Sequence, residues 1–383
     1  MFLATNMKRI SLPILYIGLF SATVIVLTLK LWRVPLAQAK ISPTLLELHK
    51  SLVEISSISG TEHSISEYLA SYLQQKGFTV ELQNVQGALQ NVYAYLGSSR
   101  STRVLVTSHI DTVPSYFPYE RRNDEIWGRG SVDDKGSVAA QITAVESLMT
   151  NQQIAEGDVG LLFVVSEETS GSGLLKANEL GLSWEAVIFG EPTELKLASG
   201  HKGSTQFTVT ATGKAGHSGY PEQGINAIDL LLPCLVALQE VELPSSEMFG
   251  NTTLNVGTIA GGVAANVIPA SANATILVRI GGGKVSEIQE ILRNEILRVA
   301  PTLDVEFLNG WGTVTLDTDI DGFENVVVNY VTDIPSLHGV HRKYLYGPGS
   351  ILVSHTDHEH LTVSDLENAV EGYKTLITKN LER

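Results

Sequence analysis

VLVTSHIDTVP (Val104–Pro114) is followed after a short polar interval by WGRGSVDDKG (Trp127–Gly136), and the rest of the chain is arranged around these two segments. The apolar run Val104 to Val106 reads as a buried strand. It delivers His109 and Asp111 at its C-terminal end, where open α/β sheets place their chemistry. The second segment brings Asp133 and Asp134 in a glycine-punctuated loop, with a helix from about Lys135. A His-x-Asp pair and an Asp pair beside buried strands suggest a metal site. A neutral imidazole binds a metal through one ring nitrogen, and its other N–H then needs an acceptor. Asp111 is close enough in sequence to be that acceptor for His109. Taken alone, a histidine after a strand is more often a satisfied structural residue than a ligand.

The same pattern recurs further along. Val159 to Val165 is a second apolar strand and ends in Ser166-Glu167-Glu168. Ala186 to Phe189 is a third and ends in Gly190-Glu191-Pro192-Thr193. One carboxylate after a strand is well explained as a helix N-cap or a solvated loop residue; four in the same structural position are not. Around these runs, Phe78 to Leu82 and Val92 to Leu96 read as strands. Ser64-x-x-Glu67 reads as a capping box opening a helix whose apolar stripe is Ile65, Tyr68, Leu69, Tyr72 and Leu73. Ala139 to Met149 continues the helix after the Asp pair.

From Gly203 the texture changes. Ser204 to Ala211 alternates as a half-buried strand. A flexible Gly213-Lys-Ala-Gly-His217-Ser-Gly turn follows, then a helix from Ile225 to Leu238 with Ile225, Ile228, Leu232 and Leu235 on one face. Strand-like Thr253 to Ile259 and Ala272 to Ile280 flank Gly261-Gly-Val-Ala-Ala-Asn266-Val-Ile-Pro269. A helix over about Val285 to Val299 and a strand near Val305 complete a strand-helix-strand-strand-helix-strand insert. The expected organisation is an α/β main domain from 40–202 and 313–383, interrupted by an α+β domain at 203–312. Past the insert come Gly347-Pro-Gly, Ser350 to Val353 and His355, and a last helix opened by a second capping box, Ser364-x-x-Glu367.

Composition narrows the function. A chain of 383 residues exceeds what one core supports. Charged residues are 17% and the net charge is −15, which argues against nucleic acid as a partner. Cys234 is the one cysteine, so a metal site must be built from His, Asp and Glu. Ser170-Gly-Ser172-Gly does not form the Gly-x-Ser-x-Gly elbow of a serine hydrolase. At the N-terminus Lys8 and Arg9 precede an uncharged apolar run, Ile10 to Leu29, long enough to span a bilayer. Ala37-Gln-Ala39 resembles a cleavage site. Residues 1–39 therefore read as a signal or membrane-anchor segment, an uncleaved anchor being favoured. The expectation is the secretory pathway, with the protein extracellular or vacuolar, and Asn251 and Asn273 are sequon acceptors.

His109-x-Asp111, Gly128-Arg-Gly-x-x-Asp133-x-Lys-Gly, Glu167-Glu168, Gly190-Glu191-Pro and His355-x-x-x-Glu359 occur in an order that resembles the co-catalytic zinc metallopeptidases. That family includes glutamate carboxypeptidase, acetylornithine deacetylase, aminoacylase and carnosine dipeptidases, and the chain looks most like secreted or vacuolar carboxypeptidase-like members. The resemblance covers about residues 43 to 383. It implies a catalytic domain with a central mixed sheet flanked by helices, an inserted lid through which a homodimer forms, and two Zn2+ per subunit. Cobalt and manganese suit the same ligand types. It also implies roles. His109 and Glu191 are ligands of the first metal, Asp133 bridges, and Glu168 and His355 hold the second. Glu167 is the general base and Asp111 the partner of His109. His358 and His360 compete with His355 for the last ligand position, and Asp134 is not a ligand. Ser166 stands where an aspartate is common. His217 is implied to cross to a partner subunit's site, and Asn266 and Arg279 to meet the substrate's carboxylate end. A cis peptide is implied after Asp133. The activity implied is hydrolysis of an amide beside a free carboxylate. A carboxypeptidase acting on peptides is favoured, with an N-acyl-amino-acid deacylase or a dipeptidase as alternatives. A catalytically inert scaffold is disfavoured, because neither Glu167 nor any ligand is missing.

Overall fold

The computed structural model describes residues 43–383. The expected membrane or signal segment, residues 1–39, lies outside them, and no helix among the described residues is long and apolar enough to cross a membrane.

The apolar runs line up as the strands of one mixed sheet. In chain order its strands are β1 (Phe78–Gln86), β2 (Leu89–Leu96), β3 (Val104–His109), β4 (Val159–Val164), β5 (Ala186–Gly190) and, late in the chain, β10 (Arg342–Tyr346). Their spatial order is β1-β2-β4-β3-β5-β10. β4, β3, β5 and β10 run parallel, while β1 and β2 form an antiparallel edge. Every residue of β3, β4 and β5 is buried. That is why these strands read as continuous apolar runs rather than as alternating ones: both faces of a parallel sheet are covered. Val104 and Val106 point into one core, with Leu52, Leu69, Ala140 and Leu366 from helices α1 (Pro43–Glu54), α2 (His63–Gln75), α3 (Lys135–Thr150) and α6 (Val363–Leu381). Leu105 points to the other face, among Tyr93, Leu162, Val187 and Leu174.

A second sheet carries its own core. Its strands β6 (Gly203–Thr212), β7 (Thr253–Gly261), β8 (Ser271–Ile280) and β9 (Asp304–Phe307) are antiparallel in the order β7-β8-β6-β9. Phe207, Val209, Ile276 and Val278 meet Leu231 and Leu235 of α4 (Ala227–Glu240) and Leu292 and Ile296 of α5 (Val285–Val299).

Three local expectations are corrected. The α4 face is rotated: Asn226 caps the helix by accepting from Ile228 N and Asp229 N, and Ala227, Leu231, Cys234, Leu235 and Leu238 face inward. Ile225 and Leu232 of the expected stripe are exposed, as is Val236. The helix is apolar nearly all round, so its sequence offered two stripes at helical spacing. Neither capping box forms as read. α2 starts at His63, so Ser64 lies inside its first turn, and no side chain caps it. In α6 the cap is Thr362, which accepts from Asp365 N at 3.0 Å.

His49 of α1 is fully buried, and its Nε2–H donates to Ser131 O at 2.9 Å, while Nδ1 has no partner among the described residues. Burial pushes this imidazole down to about 4. The unfolded chain therefore takes up the proton first as pH falls. The stability contributed by neutral His49 is complete above about pH 6.5 and is lost as pH falls towards 4. Urea unfolding of the wild type should weaken by about 2 kcal/mol more, between pH 7 and pH 5, than that of His49→Gln. Parallel pH dependences for the two proteins would contradict this.

Candidate metal centre

Strand register brings the site together. In the sheet His109 lies opposite Val164, and Thr107 opposite Phe189. β3, β4 and β5 therefore end level with one another, and the residues just beyond them, Asp111, Glu167, Glu168 and Glu191, emerge at one edge. Gly190 is required for this closeness, because a Cβ there would run into Ser108 Oγ on β3. Asp133 arrives from the loop before α3, across a cis Asp133–Asp134 peptide, as the resemblance implied.

Asp133 is the centre of the cluster. Its Oδ1 is 3.0 Å from His109 Nε2, and its Oδ2 is 3.3 Å from His355 Nε2. His355 Nε2 is also 3.1 Å from Glu168 Oε1. Glu191 Oε1 is 4.0 Å from His109 Nε2. Single donor atoms of His109, Glu167 and Glu191 lie within 4.8 Å of one another, and so do those of His109, Asp133 and Glu168. All five expected ligands are thus drawn together with Glu167. His358 and His360 are not: their Nδ1 atoms contact Asp357 Oδ1 and His358 O respectively, and His360 stacks on Trp127. Asp134 is fully buried beside Ser108 and Ser137.

Buried carboxylates hold the cluster from behind. Asp111 is 3.4 Å from His109 Nδ1 by its carboxylate and 3.0 Å by its carbonyl. Its Oδ1 accepts from Glu167 N, and its Oδ2 from Glu168 N and Ser59 Oγ. Glu359, quoted in the last motif but given no role there, accepts from Val132 N and Asp133 N at 3.0 and 3.1 Å and from Arg129 Nη1 at 2.7 Å. It thereby pins the backbone of the central aspartate. Sequence gives no separation-independent signal for such a pairing.

The electrostatics express crowding. Burial and the neighbouring Asp133 push Glu191 and Glu168 up. Burial, then Asp333 and Glu168, push Glu167 well up against the opposing pull of His109. Burial would also raise Asp133, yet its bonds to His109 and His355 outweigh it and hold that carboxyl low. His355, bonded to Asp133 and Glu168, rises to about 10. Four carboxylates around two imidazoles, all oxygen and nitrogen donors, are a set that divalent cations neutralise, so the residues present fit two such ions.

The implied substrate-binding residues divide. Arg279 on β8 is half-buried, its guanidinium makes no hydrogen bond among the described residues, and it lies close enough to feel the Glu167 charge, which opposes the lowering of its pKa by burial. His217 and Asn266 are exposed neighbours: Gly216–His217 pairs with Val267–Ile268, and Ser218 N donates to Asn266 O. Neither hydrogen-bonds to the cluster among the described residues.

Comparison with known proteins bears on the whole chain. The family profile described as peptidase dimerisation domain matches residues 199–303, and that of peptidase family M28 matches residues 91–214. A peptidase M20 domain-containing protein of Schizosaccharomyces pombe is 48% identical over 342 residues, covering 88% of this chain and 85% of its own. A probable carboxypeptidase of Aspergillus clavatus is 45% identical, covering 88% and 89%. Among solved structures, an M20 family metallo-carboxypeptidase from Sulfolobus solfataricus superposes with a TM-score of 0.74 at 17% identity, covering 88% and 99%.

The three candidate histidines of the last ligand position make distinct predictions. His355→Ala should lower the metal bound per chain, measured by elemental analysis after desalting, whereas His358→Ala and His360→Ala should retain it. Equal losses in all three would contradict the placement of His355 alone at Asp133.

Proposed function

The chain belongs to the M20 peptidase family, and from that membership and the cluster around Asp133 we propose a two-metal carboxypeptidase that cleaves the C-terminal amide bond of peptides. The carrying observation is that the two carboxylate oxygens of Asp133 face two different histidines, His109 and His355. On this reading His109, Asp133 and Glu191 hold one Zn2+, and Asp133, Glu168 and His355 the other; cobalt or manganese would suit the same donors. Bound there, the ions would polarise the scissile carbonyl and acidify a water.

The protein's own part follows from placement. Glu167 lies beside His109 and Glu191 but makes no ion pair with either histidine among the described residues, and its N–H is fixed by Asp111, so it is assigned the base rather than a ligand position. Set beside the metal positions, it takes a proton from the attacking water and passes it to the leaving amine. Arg279 is an uncommitted guanidinium near that base, and it clamps the free carboxylate of the substrate in a two-pronged geometry. Asn266 orients the same end. His217 reaches the oxyanion of a second subunit's substrate. A second copy also suits the exposed apolar residues Leu232 and Val236 of α4 and Ile259 of the edge strand β7, in the segment that resembles a dimerisation domain. We place the enzyme outside the cytosol, reached by way of residues 1–39. Exposed Asn251 is the better glycan acceptor, since Asn273 lies half-buried in β8 between two paired strands.

Two measurements test this. Glu167→Gln should keep its metals and lose about 10²–10⁴-fold in kcat, while Glu168→Gln should lose metal; unchanged metal content in both would reverse the assignment of the pair. Arg279→Lys should cut kcat/KM steeply for peptides with a free C-terminal carboxylate and much less for the matching C-terminal amides. An equal loss on both would make Arg279 structural, and a wild type that prefers N-acyl amino acids in the same panel would shift the substrate class to deacylation.

A further inference from the structure

Glu62 is a fully buried acid at the N-terminus of α2 that does not cap its own helix. Its side chain reaches instead across 104 residues of sequence. Oε1 accepts from Ser166 N at 3.1 Å and lies 3.4 Å from Ser166 Oγ, while Oε2 has no partner among the described residues. Ser166 is itself unusual. It has φ +61°, a left-handed conformation uncommon for a residue with a side chain, and it is the residue on which the chain turns between β4 and the glutamate pair. Its carbonyl accepts from Ser170 N and Gly171 N, closing that turn. The next two N–H groups, Glu167 and Glu168, go to Asp111. Three successive backbone donors are thus held by two buried carboxyls that come from distant parts of the chain.

We propose that Glu62 is a positioning residue for Glu167 and Glu168: by anchoring the left-handed Ser166 it sets the direction in which both side chains leave the end of β4. Ser166 stands where the resemblance puts an aspartate, and Glu62 supplies a carboxyl to the same spot from α2. The inference rests on the roles proposed above for the glutamate pair, but its test reads metal affinity as well as turnover.

Four variants of the full chain decide it: Glu62→Ala, Glu62→Gln, Ser166→Asp and Glu62→Gln/Ser166→Asp. Each is checked for folding by thermal melting, for zinc affinity by calorimetry, and for kcat and KM separately. Removing the acceptor in Glu62→Ala should lower zinc affinity and kcat by about 10–100-fold, with KM within about twofold. Glu62→Gln, whose amide oxygen still accepts from Ser166 N, should stay within about fivefold of wild type in both. Ser166→Asp puts a carboxylate against Glu62 and should lose about tenfold, and Glu62→Gln should restore that loss by giving the new aspartate a donor. The proposal is overturned if folded Glu62→Ala keeps zinc affinity and kcat, if Glu62→Gln falls as far as Glu62→Ala, or if Ser166→Asp costs the same in both backgrounds. Should Glu62→Ala not fold, the last comparison alone decides. Failure of the catalytic reading looks different: Glu167→Gln would then keep wild-type turnover, while the zinc-affinity differences among the Glu62 and Ser166 variants would stand.

Discussion

Asp133 and Glu191 are buried and Glu168 half-buried within reach of two imidazoles, with half-buried Glu167 beside them, and a folded chain holds that much like charge together only if protons or cations join it. The histidines answer part of it. The remainder is what two divalent cations would neutralise. The rest of the architecture can be read as the means of keeping these groups close despite their repulsion. Three parallel strands ending level bring them to one edge, and fully apolar packing on both faces fixes the strands. Backbone N–H groups are then handed to carboxyls that stand outside the cluster: Glu359 takes those of Val132 and Asp133, and Asp111 takes those of Glu167 and Glu168.

This arrangement assigns different work to residues of the same type. Adjacent glutamates at a strand end differ because Glu168 contacts His355 and Glu167 does not. Asp133 and Asp134 differ because Asp133 meets the two histidines while Asp134 is buried beside Ser108 and Ser137. Buried acids that make no contact with the histidines, such as Glu62 and Glu359, act on the backbone instead. Arg279, on the second sheet with its separate core, lies close enough to the cluster to feel the Glu167 charge.

The strands were legible in sequence because each depended on local pattern, whereas the ligand roles came from the ordered motifs and the resemblance they carry. Continuous apolar runs mark strands buried on both faces, and a carboxylate or histidine just past each run falls at the same sheet edge. The resemblance favoured His355 over His358 and His360, all within six residues, and the fold places His355 alone of the three against Asp133 and Glu168. The inward face of α4 was misread because Leu231, Cys234 and Leu238 and the alternative Ile225 and Leu232 are equally apolar. Both capping boxes were misplaced because a serine and a glutamate at the right spacing do not say where a helix is allowed to start. The support given by Glu62 to Ser166 and by Glu359 to Asp133 spans more than a hundred residues in each case, and no periodicity reports it.

The central claim is that the carboxylate of Asp133 lies between two metal positions. Anomalous diffraction from zinc-loaded crystals of the protein tests it directly. The account predicts two peaks roughly 3.5–4 Å apart, one beside His109 and Glu191, the other beside Glu168 and His355, with one oxygen of Asp133 directed at each. A single peak under saturating zinc, or two peaks of which only one contacts Asp133, would contradict it.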